Sequence, residues 1–329
     1  MMENGTVYQI PTEVELFDFP LGKDMDFTHN PSIAWHKGHL YVAIRGNKVN
    51  KERGENLRHY VNYLLLSELD PKTLKLKYDP KVLKMTPENA NFGIEDVRLF
   101  SRGDKLLGIG ARLYTTKNRQ GQPKMGIGQT LIEIDPKSYT YKHVYDYPQP
   151  TEMAEKNWSP PTEPTRWFDY AYSPTQVWAD DKVWGEPTNS LIHGGSQLLP
   201  YRDNEWISVA HVILGIKHPF YMPRFYASIA TIRNHQGYVT EISQLFHFGV
   251  GDRRESMPKL NESVEFVSGA IWLEQDEKLL VSLGVKDITS GIAEINISDL
   301  RFRPFTNQQW YGCRYLEDNY VNEGSYELK

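Results

Sequence analysis

The chain has 329 residues, 40% of them hydrophobic and 24% charged, with a formal net charge of −5. This is the composition of a globular protein, and the negative balance argues against a broad nucleic-acid surface while leaving room for a local basic pocket. No run of about 18 apolar residues exists to cross a membrane as a helix, and the single cysteine, Cys313, excludes an intrachain disulfide and fits a reducing, cytoplasmic setting. In chain order, the opening MMENGTVYQIPTEVELF lacks the basic-then-apolar pattern of a secretion signal. Long helical periodicities are absent. A short strand signal recurs instead, led each time by a polar or glycine turn: GHLYVAIRG (38–46), DKLLGIGARLY (104–114), RWFDYAYSP (166–174), NEWISVAHV (204–212) and EKLLVSLGV (277–285). Aligned on Leu40, Leu106, Phe168, Trp206 and Leu279, these are 66, 62, 38 and 73 residues apart.

A second unit follows three of them: YLLLSELDPKTLKL (63–76), QTLIEIDPKSYTYKHV (129–144) and ASIATIRNHQGYVTEI (227–242). The first two read as a strand, an Asp-Pro turn and a second strand, because Asp caps such a turn and Pro presets its φ. Five imperfect repeats of strand pairs predict an all-β chain folded as a five-bladed β-propeller. A sandwich of two sheets is the competing arrangement. No linker rich in Pro, Gly or Ser divides the chain, so residues 1–329 are read as one domain with one axial site. The oligomeric state is left open.

In a propeller, polar residues near the ends of inner strands converge on the axis from distant positions. The candidates are Asn30 and Arg45, then Glu95, Asp96, Arg98 and Arg112, then Lys156 and Asn157. His193, Gln197 and His211 follow, then Tyr221 and Arg224, and last Glu265 and Asp287. Several cations around a few carboxylates suit an anion together with a polyhydroxyl ligand. The 20 Tyr and 8 Trp offer flat apolar faces for sugar rings, although strand propensity alone accounts for them. Along an ideal strand Glu95 and Asp96 point to opposite sides, and Arg98 shares the side of Asp96.

These segments resemble glycoside hydrolase family 130, the β-mannoside phosphorylases and their hydrolase relatives. GIEDVRLF matches that family's Gly-x-Glu-Asp-Pro-Arg motif except for Val97 in place of Pro. NPSIAWHKGHLYVAIR resembles its first-blade pattern. RWFDYAYSPTQV, HGGSQLLPYRDNEWISVAHV and VEFVSGAIWLEQDEKLLVSLGVKDITSGIAEI are similar to later segments, in the same order, from about Asn30 to Glu294. The resemblance implies a five-bladed propeller with Asp96 as the catalytic general acid, its proton relayed through a sugar hydroxyl. It implies phosphate ligands at Arg112, Lys156 and His211, with Arg45 or Arg224 as an addition. Asn30, Arg45, Glu95, Arg98, Asn157, His193, Tyr221 and Asp287 would surround the sugar.

The function implied is an inverting phosphorylase. Inorganic phosphate is its co-substrate, a glycoside or oligosaccharide its substrate, and no cofactor or metal is called for. A transferase using a nucleotide-sugar or sugar-phosphate donor, a hydrolase and a non-catalytic sugar-binding propeller stay open beside it. Two other signals carry less. His36 and His39 have a metal-like spacing without clustered partners. GVGDRRES (249–256) lacks the strand–loop–helix setting of a phosphate loop. No nucleophilic Ser or Cys elbow is present.

Overall fold

A computed structural model describes residues 7–21, 25–49, 60–86, 93–117, 123–146, 159–160, 167–172, 175–179, 182–184, 192–215, 224–234, 238–250 and 264–305. Among them there is no α-helix, and the helical content is one 3-10 turn, Ile297–Asp299. No helix among the described residues is long and apolar enough to cross a membrane.

The described strands form five sheets. The first holds Phe27–His36, His39–Val49, Tyr60–Leu69 and Lys81–Val82. The second holds Glu95–Arg102, Lys105–Lys117, Pro123–Asp135 and Thr140–Asp146, with Lys84–Met85 at its outer edge. The third holds Trp167–Tyr172, Thr175–Ala179 and Lys182–Trp184. The fourth is built around Ile192–His193, Glu205–Gly215 and Arg224–Asn234. The fifth holds Glu265–Glu274, Lys278–Val285 and Thr289–Asn296, and Val14–Leu16 is its last strand. Tyr8–Gln9 joins the fourth sheet, so the start of the chain ties the fourth and fifth together.

Each of the five recurring strand signals lies on a strand. In the first, second and fifth sheets it is the second strand, and the strand before it forms the sheet's inner edge. Tight hairpins connect the two. His36 pairs with His39 across Lys37 and Gly38, both at positive φ (50° and 79°), as a primed turn requires. The Asp-Pro punctuation works as expected: Asp70 Oδ1 accepts the amides of Lys72 and Thr73 at 2.8 and 3.0 Å. The strand expected directly after Asp70-Pro71 is only a bridge, Leu69 to Leu76. The pairing resumes at Lys81–Val82.

The core lies between neighbouring sheets. Leu64 and Leu66 of the first sheet meet Val97, Leu99 and Ile132 of the second. Ile33, Val42 and Ile44 meet Ile271, Leu280 and Ile292 of the fifth. Val209 and Ile232 of the fourth meet Val267, Val281 and Leu283 of the fifth. Burial on both faces explains why these strands read as near-continuous apolar runs. Each such side chain contributes about 1.5–3 kcal/mol.

One polar residue ties the inner edges together. Gln197 has no exposed surface. Its Nε2 donates to the carbonyls of Ile33 and Leu99, the latter at 2.7 Å. Its Oε1 accepts the Ala270 amide at 2.8 Å. The innermost strands of the first, second and fifth sheets therefore meet at a side chain sent from the fourth.

Candidate active site

The inner strands of the first two sheets each carry a bulge, one between His29 and Ser32, the other between Glu95 and Arg98. Inside these bulges Asn30 and Asp96 adopt left-handed backbone, at φ 48° and 51°. That conformation costs about 1–2 kcal/mol for an ordinary residue, and Asn and Asp tolerate it best. Strain of this kind is held in place only by surrounding contacts, and it concentrates at working sites.

Those contacts form one cluster. Asn30 Nδ2 donates to Asp96 Oδ1 at 2.7 Å. Arg45 Nη1 reaches the same oxygen at 2.9 Å, and its Nη2 lies 3.0 Å from Glu95 Oε1. Arg45 Nε donates to Asn62 Oδ1 at 2.9 Å, and Asn62 returns its amide to Glu95 Oε1 at 3.0 Å. The side chain of Asp96 is only 6% exposed and that of Arg45 12%. Burial opposes the charge on Arg45, but Asp96 and Glu95 outweigh it and hold the guanidinium pKa above its ordinary value. The fifth sheet closes the cluster. A Cβ on Gly284 would lie 2.1 Å from Asn30 Oδ1, so only glycine permits this approach.

The alternation expected of Glu95 and Asp96 does not hold. The bulge breaks the two-residue period, and both carboxylates meet the same guanidinium. Arg98 does not touch the Asp96 carboxylate. It is 1% exposed, donates to the main-chain carbonyls of Asp96 and Gly195, and lies 4.9 Å above the Phe266 ring. It braces the bulge from behind.

The other sequence candidates fall in different places. Asp287 sits with Lys286 in a turn of two left-handed residues. It lies 3.8 Å from His29, close enough to Arg45 for its charge to help hold the guanidinium. Glu265 is buried and accepts the amides of Phe248 and Val250. His211 is buried, stacked on His193 at 5.5 Å and Tyr226 at 5.6 Å, with the edge of Phe266 at 4.8 Å. His193 keeps solvent contact, yet desolvation by the protein crowded around its ring pulls its pKa down. Arg112 does not join the Asp96 cluster: its ion pair is with Asp146, at 3.4 Å on the outer strand of its sheet. Lys156, Asn157 and Tyr221 lie outside the described residues, as does the side chain of Arg224. Among the described residues no group of three or more His, Cys, Asp or Glu side chains is placed to hold a metal.

Three residues escaped the sequence reading. His29, Asn47 and Asn62 extend the cluster through a chain of side-chain hydrogen bonds, His29 to Asn47 at 2.6 Å and Asn47 to Asn62 at 2.6 Å. Asn47 and Asn62 are directly opposed in register, and so are His29 and Arg45. The available signal was polar residues at the same end of paired apolar strands.

Chemically, the cluster holds a carboxyl group rigidly among donors, next to a second carboxylate and under one shared cation. Such a group can exchange a proton with a hydroxyl brought against it. Arg45→Lys keeps the charge but loses the fork that reaches Asp96, Glu95 and Asn62 together. For the glycoside cleavage proposed below, it should lower kcat by about ten- to a hundredfold, the worth of one or two charged hydrogen bonds, measured as initial rates at saturating substrate.

No protein-family model matches the sequence, and neither does any curated protein. Solved structures do match. One is of the GH130 family of mannoside phosphorylases, described as containing glycoside hydrolases that target β-1,2-mannosidic linkages in Candida mannan. It has TM-score 0.59 and 13% identity, over 91% of this chain and 96% of that one. The chain shares the fold of these enzymes. A mannose phosphorylase from Leishmania mexicana, in complex with phosphate ion, has TM-score 0.57 and 13% identity over 88% of this chain and 89% of its own. A GDP-Man-dependent mannosyltransferase from the same organism has the same TM-score and identity, over 86% and 89%. The GH130 fold thus spans nearly the whole of this chain and hosts more than one chemistry.

Proposed function

We propose that the protein is an inverting glycoside phosphorylase acting on a β-mannoside, built as a single five-bladed propeller. The contacts between sheets support the propeller: second to first, first to fifth, fifth to fourth, and fourth to third are neighbours. The observation that carries the function is Asp96, held in left-handed backbone on an inner strand by Asn30 and Arg45, on a fold shared with mannoside phosphorylases.

In the reaction, a phosphate oxygen attacks the anomeric carbon from the face opposite the leaving group. The glycosidic bond breaks, and its electron pair goes to the leaving oxygen. Asp96 supplies the proton that oxygen needs, through a sugar hydroxyl, and is left as the carboxylate. The products are α-mannose 1-phosphate and the shortened glycoside. Asn30, Arg45, Glu95, Asn157, His193, Tyr221 and Asp287 surround the sugar, with Arg98 behind Asp96. Arg112, Lys156, His211 and Arg224 take the phosphate, for which the Arg112 pair with the exposed Asp146 has to open.

The test is turnover of a β-1,2-mannobiose with and without inorganic phosphate. Phosphate-dependent release of mannose 1-phosphate is the expected result. Free mannose in phosphate-free buffer moves the assignment to a hydrolase. Turnover only with a nucleotide sugar moves it to the second reading, a mannosyltransferase, which the equal likeness to the GDP-Man-dependent enzyme favours.

A further inference from the structure

The hydrogen-bond chain behind the cluster has a fixed direction. Arg45 Nε carries a hydrogen and no lone pair, so the Asn62 atom 2.9 Å from it is the carbonyl oxygen. The Asn62 amide nitrogen is thereby turned to the Glu95 carboxylate, an acceptor. The Asn47 atom 2.6 Å from Asn62 Oδ1 must be a donor, its amide nitrogen. Asn47 Oδ1 then faces His29 Nε2 at 2.6 Å, and an acceptor there requires a hydrogen on Nε2. The neutral His29 ring therefore keeps its lone pair on Nδ1.

Among the described residues nothing uses that lone pair. His29 is 6% exposed, and its Nδ1 is buried with no hydrogen-bond partner among the described residues. Asp287 Oδ1 lies 3.8 Å away, at the end of a side chain that is 55% exposed. Two acceptors this close, one of them buried, call for donors between them. Next door, Asn30 Oδ1 is a second buried acceptor without a partner among the described residues.

We propose that His29 Nδ1 and Asp287 form a clip for two neighbouring hydroxyls of the sugar, one donating to the imidazole nitrogen and the other to the carboxylate. O–H donors sit about 2.7–2.8 Å from their acceptors. Acceptors 3.8 Å apart therefore place the two ligand oxygens side by side, as in a vicinal diol. Asp287 covers Nδ1 from an exposed turn. The clip rests on the sugar-binding reading of the site. It makes His29 a specificity residue, because a sugar lacking the hydroxyl that faces Nδ1 leaves a buried acceptor unpaired.

The test is nitrogen-15 NMR of histidine-labelled protein, with the His29 signals assigned by their loss in His29→Gln. Gln keeps an Nε2–H donor within reach of Asn47 and removes the ring acceptor. The free protein is expected to show the Nε2–H tautomer at His29. Saturation with mannose or β-1,2-mannobiose should shift Nδ1 as it gains a donor. His29→Gln should bind mannose roughly 5–100-fold more weakly, with an unchanged melting curve. The clip is overturned by an Nδ1–H tautomer in the free protein, by sugar binding that leaves Nδ1 unmoved, or by unweakened binding in His29→Gln. Should that variant fail to fold, the wild-type spectra decide. A wild type that binds neither sugar overturns the proposed function as well, whereas binding without an Nδ1 response overturns the clip alone.

Discussion

On the phosphorylase proposed above, Asp96→Asn is expected to slow turnover of a β-mannoside by roughly 10²–10⁴-fold, the usual contribution of a positioned general acid, while the protein stays folded. The geometry gives the reason for both halves. Asp96 Oδ1 accepts from Asn30 at 2.7 Å and from Arg45 at 2.9 Å, and an amide oxygen in that place still accepts both. Asn also tolerates the left-handed backbone that Asp96 adopts. Arg45 keeps Glu95 as its counter-ion at 3.0 Å, so no buried charge is left alone. What disappears is the ionisable proton. A leaving group that needs no protonation, such as a dinitrophenolate, should therefore lose far less. Measuring both substrates with the same variant separates catalysis from support. Equal losses on the two would make Asp96 a structural carboxylate and place the acid elsewhere.

Local signals carried much of the architecture. The five strand signals are short, β-prone and led by turns, and such features depend on a few adjacent residues. The carboxylates of GIEDVRLF were visible for the same reason. Their joint aim was not. Asp96 and Glu95 meet one guanidinium because the strand bulges between Glu95 and Arg98, and a bulge leaves no mark in an apolar–polar pattern. His29, Asn47 and Asn62 became legible only once the register of the first sheet set Asn47 opposite Asn62 and His29 opposite Arg45. Arg112 illustrates the converse. Its sequence setting offers a cation near the Asp96 strand, yet its partner is Asp146, an outer-strand residue 34 positions on. The surroundings of His211 likewise come from three strands, through His193, Tyr226 and Phe266. Pairings over such separations are set by how sheets pack, which no local window contains.

Gln197→Leu should destabilise the protein by roughly 3–6 kcal/mol, a large fraction of the 5–15 kcal/mol that holds an ordinary domain together. Leucine nearly conserves the volume, so packing is little changed. The polar matches are what fail. The Ala270 amide loses its acceptor, and the carbonyls of Ile33 and Leu99 lose a shared donor, all in a place with no solvent to replace them. A buried group left unmatched costs about 1–3 kcal/mol. Denaturant unfolding of the full chain measures the loss, with Gln275→Leu as a surface control expected to stay within about 0.5 kcal/mol. The effect reaches the site as well. Ile33 and Leu99 lie three residues beyond Asn30 and Asp96 on the same inner strands, so Gln197 sets the spacing between the two bulges. At temperatures where Gln197→Leu remains folded, its kcat should fall as Asn30 and Asp96 drift out of contact, with KM changing less. A variant as stable as wild type would mean that apolar packing between the sheets suffices to hold the inner strands, and that the glutamine is incidental to the site.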